Sequence, residues 1–376
     1  MYSKKTTIVL TIILFYFIIA GLFVSFIFQK ANSENQSSLV NSQQSVTPSN
    51  KLEELNDKPK TNKLNSIISI SGVEDKSLML QPSDYDVYSK ELEIIVKEKD
   101  PKAALERLVA DTYTVKVVQK NCHGLTHIIG RFALEKYSNN TAKAITYNLD
   151  ICGGGYVHGI IEHYLEVTPN AAEQITTLCT NPEDGGCFHA LGHGAMLVNN
   201  YDIDLSVQSC KKLSSNQLQL LCGEGLFMEN FDSENTKDSN KPFLKPEDPF
   251  YPCSNYTSPY NDACYYYSGR YIFKQINDPV LALQKCDGAK GFIQSCIRGM
   301  SAGILRSDLN SPEKMENYCN SVKTSYKGSC LQGSVNYYVL MFGSAEKTKT
   351  DMCNKFQNSG DKNLCSNYAN SSPFAK

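Results

Sequence analysis

The sequence predicts an all-α protein. The expected architecture is an α-solenoid of about seven helical-hairpin repeats with disulfides inside the repeats, preceded by one transmembrane helix and a flexible stalk. Three observations predict it. The 14 cysteines fall in spaced pairs along the chain. From Cys152 onward the second members of those pairs step by 35, 35, 42, 32, 34 and 35 residues, the length of a helix, a turn and a second helix. The text between them carries helix-start and helix-stop signals.

A length of 376 residues suits two average domains or one elongated repeat array. The net charge is -2, with basic and acidic residues interspersed and no basic stripe, which argues against a nucleic-acid partner. Residues 1–30 hold an uncharged, mostly apolar run from Thr6 to Phe28, long enough at the helical rise to cross a hydrocarbon core. Lys4 and Lys5 precede the run and only Lys30 closely follows it. The positive-inside rule then places the N-terminus in the cytoplasm, with the rest of a single-pass cell-membrane protein outside. A cleaved signal peptide, giving a secreted protein, is the alternative. Paired cysteines fit that oxidising side, and sequons at Asn35, Asn139, Asn255 and Asn370 are compatible with it. Residues 31–85 are rich in Ser, Asn, Gln and Lys and too poor in large apolar side chains to offset ordering entropy, so they read as a polar stalk.

The repeat domain spans 86–376. Its two-cysteine units are Cys179 with Cys187, Cys210 with Cys222, Cys253 with Cys264, Cys286 with Cys296, Cys319 with Cys330 and Cys353 with Cys365. In "TPNAAEQITTLC", "NDPVLALQKC" and "NSPEKMENYC" a proline sits just inside a first helix that ends on a cysteine. The next cysteine opens the second helix, as in "CFHALGHGAML", "CGEGLFMEN", "CIRGMSAGIL" and "CLQGSVNYYV". A disulfide across the turn clips the two together. Cys122 and Cys152 lack a partner of this kind; they either bond to each other across adjacent helix starts or act as thiolate ligands. The long step contains "FDSENTKDSNKPFLKPEDPFYP", a polar surface insert, or with the Tyr-rich segment after it a partner-binding edge. Gly130, Gly159, Gly194, Gly225, Gly299 and Gly333 recur where second helices would touch, which predicts close helix contacts.

Cysteine-closed helix pairs of this length resemble the secreted bacterial cysteine-rich proteins built from tetratricopeptide-like repeats. The resemblance covers roughly residues 100 to 370, rests on period and cysteine placement, and implies a disulfide-stapled solenoid without implying an activity. The paired glycines after the second cysteine depart from the usual tetratricopeptide signature.

All six histidines lie between residues 123 and 193. Aligning the second helices puts His127, His158, His193 and Met228 in one column, and His123, Gly154, His189 and Glu224 one turn earlier. One turn later come Arg131, Glu162, Leu197 and Asp232. Imidazoles four apart share a helix face and chelate one ion, with a neighbouring helix supplying the rest. His123, His127, His158, Glu162, His189, His193 and Glu224 are therefore the candidate ligands of a transition-metal ion: zinc, iron or copper. Neighbouring helices pack 8–10 Å apart, so two nearby ions, or one ion on two helices, are favoured, with His158 and Glu162 shared on the middle helix. His163 falls off the columns and is expected to be exposed.

No HExxH, Gly-x-Ser-x-Gly, P-loop or CxxCH signature occurs, and Cys187 reads as half of a disulfide before it reads as a nucleophile. No catalytic residue is assigned. Two functions remain: a membrane-anchored extracytoplasmic metal-binding protein, or a scaffold holding a protein or peptide on its concave face, its histidines serving as buried hydrogen-bonding groups.

Overall fold

Short helices and long helices alternate along the chain. In this computed structural model the described residues are 82–181, 184–232, 244–245 and 247–374. The anticipated transmembrane segment and nearly all of the stalk lie outside them. Among the described residues no helix is long and apolar enough to cross a membrane.

The helices are α1 (Pro82–Glu98), α2 (Pro101–Thr114), α3 (Lys116–Lys136), α4 (Thr141–Ile145), α5 (Gly155–Val167), α6 (Ala171–Gln174), α7 (Gly185–Val198) and α8 (Ile203–Cys210). They continue with α9 (Asn216–Asp232), α10 (Tyr260–Ile276), α11 (Pro279–Lys285), α12 (Ile293–Ser307), α13 (Lys314–Asn320), α14 (Lys327–Phe342), α15 (Ala345–Asp351) and α16 (Ser359–Ser371). Among the described residues there is no strand, only an isolated bridge between Lys245 and Asp248. The first described helix, α1, begins at Pro82, within the segment read as stalk, and lays Tyr88, Leu92 and Val96 into the core.

The long helices α3, α5, α7, α9, α10, α12, α14 and α16 each pack on the next, and the short helices ride between them. All 14 cysteines are paired as the spacing predicts, with Cα separations from 5.3 to 5.8 Å. Cys122 and Cys152 bond to each other, so neither is a thiolate ligand. Of the three proline signals one is met in full: Pro279 opens α11 behind an Asp278 carboxylate that accepts from the Val280 and Leu281 amides. Pro312 and Pro169 instead lie in turns ahead of α13 and α6. The second cysteines sit about a turn inside their helices rather than opening them: Cys330 is in α14, which begins at Lys327, and Cys222 is deeper still in α9.

Glycines set the close contacts of the long helices. A Cβ at Gly159 would stand 2.0 Å from the His127 carbonyl oxygen, and one at Gly225 would stand 1.9 Å from that of His189, so only a bare backbone fits. Between α3 and α7, α5 is buried on most sides, including Tyr156, Val157, His158, Ile160 and Ile161. The Tyr-rich segment is no exposed edge. It forms α10, with Tyr260, Tyr265 and Tyr267 buried.

Among the described residues the array closes on itself. Its late repeats return onto its first. α14 packs on the turn at Cys152–Gly154, Phe342 stacks on Tyr113 with ring centroids 6.2 Å apart, and a Cβ at Gly343 would lie 2.5 Å from the Asp150 carbonyl oxygen.

Candidate metal centre

Five of the six histidines converge. His123 and His127 sit one turn apart on α3, His189 and His193 one turn apart on α7, and His158 projects from α5 between them. Ring centroids are 4.7 Å apart in the first pair and 5.2 Å in the second. His158 lies 5.2 Å from both His123 and His127, 5.0 Å from His189 and 4.4 Å from His193. Two three-histidine groups result, His123–His127–His158 and His158–His189–His193, each with ligating atoms within 4.8 Å of one another.

Local structure aims these rings. Cys152, Gly153 and Gly154 all have positive φ, with the glycines at 74° and 75°, a conformation cheap for glycine. The turn they make presents the Cys152 carbonyl to His123, whose Nδ1 donates to it at 2.8 Å. A carbonyl only accepts, so the His123 proton is on Nδ1 and its Nε2 carries a lone pair. His127 donates from Nδ1 to Glu162 Oε2 at 3.2 Å, which fixes its tautomer in the same way. The two Nε2 atoms then face each other at 3.1 Å. The second pair repeats the design. His193 Nδ1 donates to Glu229 Oε2 at 3.0 Å, and its Nε2 lies 3.3 Å from that of His189.

Lone pair against lone pair is repulsive unless a cation stands between them, either a proton or a metal ion. Two imidazole nitrogens on one tetrahedral ion at about 2.05 Å are themselves about 3.3 Å apart. The charges agree. Burial holds His123, His158 and His189 well below the ordinary imidazole pKa, helped by the neighbouring histidines, so these three are neutral donors. Burial also opposes a charge on His127, but the Glu162 carboxylate overcomes it and raises the pKa. Burial would raise Glu162, yet the charge and hydrogen bond of His127 bring it down to about 2.

Glu162 pairs with His127 and belongs to neither three-histidine group. Glu224 does not join the histidines; it belongs to no three-histidine group, and its electrostatic neighbours are Asp262 and Arg298. The carboxylate that does join is Glu229, which the columns missed by one residue, placing Met228 there instead. The spacing held the signal, since Glu162 follows His127 by 35 residues and Glu229 follows His193 by 36. His163 stands apart as expected but is not exposed; its side chain is 16% accessible, between Glu135 and Glu166.

A cavity of about 270 Å³ fronts the cluster, walled by His123, His127, His193, Glu162, Glu229, Arg131, Arg306 and Tyr85 among others. His158 and His189 are not among its walls. Arg131 is engaged by the Glu166 carboxylate through bonds of 2.9 and 2.7 Å. Arg306 comes from α12, far along the chain, and its charge is among the influences that keep His123 neutral. No family model, curated protein or solved structure matches the chain.

Proposed function

We propose that this protein is an extracytoplasmic metal-binding protein that holds transition-metal ions of the zinc, iron or copper class in the histidine cluster. One observation carries the proposal: His123 and His127 have both Nδ1 atoms committed to acceptors, and their Nε2 atoms converge at 3.1 Å, where a cation has to stand between them. Neutral imidazoles suit borderline ions such as zinc, copper and iron better than calcium or magnesium. Glu162 and Glu229 hold the rings in the ligating tautomer, the role that carboxylates beside metal-bound histidines ordinarily take. The cavity before His123, His127 and His193 leaves room for water or a small ligand to complete the coordination of a bound ion. The paired cysteines suit an oxidising compartment.

The test is elemental analysis of the purified protein after expression in metal-replete medium. The wild type is expected to retain transition metal in stoichiometric amount. His193→Ala is expected to lose a substantial part of it, while His163→Ala, outside both groups, keeps the full complement. A wild type that carries no transition metal overturns the proposal, as does His193→Ala with undiminished content.

A further inference from the structure

We propose that His158 bridges two transition-metal ions through its two ring nitrogens, one ion held by His123 and His127 and the other by His189 and His193. The inference rests on the metal-binding reading above and goes beyond it in the number of ions and how they are joined.

His158 carries a polar atom without a partner. His158 is 1% exposed, and its Nδ1 is buried with no hydrogen-bond partner. Leaving such a group unpaired costs about 1–3 kcal/mol, and no neighbouring backbone or side chain takes it up. Three other histidines of the cluster have Nδ1 engaged, His123 by a backbone carbonyl and His127 and His193 by carboxylates, so His158 is built differently from them. A bound ion answers the difference.

The second step is where His158 stands. Each flanking pair already has the nitrogen spacing of two ligands on a single ion, 3.1 Å in one and 3.3 Å in the other. Each pair therefore defines its own ion position. The third histidine in both groups is the same residue. Its ring centroid lies no more than 5.2 Å from any of the other four, while about 5 Å separates centroids of imidazoles sharing one tetrahedral ion. One ring with two nitrogens, standing between two half-made sites, completes both.

The third step is charge. A neutral imidazole has one ring proton, and to bind two ions it must give that proton up, so the second ion to load releases one proton to solvent. The resulting imidazolate is negative. With Glu162 and Glu229 it offsets most of the charge of two divalent ions in a site that burial would otherwise make costly.

The experiment uses the full-length protein with its disulfides intact, stripped by chelation and titrated with Cu(II) as the probe. Ions per chain are counted by elemental analysis, and electron paramagnetic resonance reads whether they couple. The expected result is two copper ions per chain with a spin-coupled spectrum at full loading. His123→Ala with His127→Ala, or His189→Ala with His193→Ala, should leave one ion and an isolated, uncoupled signal. One ion per wild-type chain, or two whose signals simply add, overturns the bridge and leaves the metal-binding reading standing. No ion at all overturns both. The wild-type spectrum decides the matter even where a pair variant does not fold.

Discussion

At the scale of single residues, the convergence of five histidines was legible because i and i+4 on a helix share a face whatever the helix packs against. The carboxylates were harder, because the helices keep one register while the carboxylate comes from a different position in each. Glu162 lies a turn beyond His158 in the sequence, whereas Glu229 directly follows Met228, and each reaches the second histidine of the preceding pair. Glu224 lies a turn earlier and reaches neither. Glu224 has a different consequence. Burial, and after it the charge of Asp262, pushes its carboxyl up to about 7. A carboxyl raised above its unfolded value of about 4.3 costs nothing while protonated in both states, below about pH 4, and costs stability increasingly as pH rises to the folded value, then constantly above it. Glu224→Gln removes that cost. Relative to wild type, the variant is expected to unfold at equal temperature near pH 4.5 and at higher temperature at pH 8, by an amount on the order of 1–3 kcal/mol. Thermal melts of both proteins at the two values check it, and a gain at pH 8 no larger than at pH 4.5 contradicts the assignment.

At the scale of helices, the cysteine spacing was informative because a covalent clip across a turn leaves little freedom in where the two helix ends lie. Helix boundaries were less legible. The second cysteine was taken as an opening residue, but a disulfide reaches equally well from inside the first turns, as Cys296 in α12 and Cys330 in α14 show. The recurring glycines carried the stronger message, and the structure bears out the close contact at each of them. Gly225 joins two roles, since its approach to α7 sets the height of Glu229 against His193. A methyl there meets the His189 carbonyl oxygen at 1.9 Å and the His193 ring at 3.2 Å, both within the site. Gly225→Ala is therefore expected to drive α9 off α7 at a cost of about 1–3 kcal/mol and to lower metal retention with it. Gly291, which has nothing within 4 Å of an added Cβ, is the matched control. Denaturant unfolding and elemental analysis of Gly225→Ala and Gly291→Ala together separate a packing effect from the general cost of replacing glycine.

At the scale of the repeat domain, closure was the feature least accessible to sequence. A repeat period fixes each hairpin, while curvature accumulates from small rotations between neighbours that no local pattern encodes. His158, on the helix between the two histidine pairs, lies against both. Closure explains how Arg306 of α12 comes to share a cavity with His123 of α3. The contact that completes it is narrow. Gly343 ends α14 with φ of 63°, its amide bonded to the Val339 carbonyl, and a Cβ there would press to 2.5 Å on the Asp150 carbonyl oxygen. Beside it Phe342 stacks on Tyr113, and the Lys347 ammonium lies 4.7 Å from the centre of the same Tyr113 ring. Any L side chain at position 343 is opposed twice, by its backbone conformation and by the chain across the seam. Each hairpin keeps its own disulfide, so Gly343→Val should part the seam without unravelling the repeats. Amide exchange is then expected to quicken in residues 113–154 and 327–347 and stay unchanged in α10 and α11, with total helix content preserved. Exchange that quickens evenly along the chain would mean that the hairpins depend on closure for their folding, and exchange unchanged at the seam would mean that α14 holds the first repeat by other contacts.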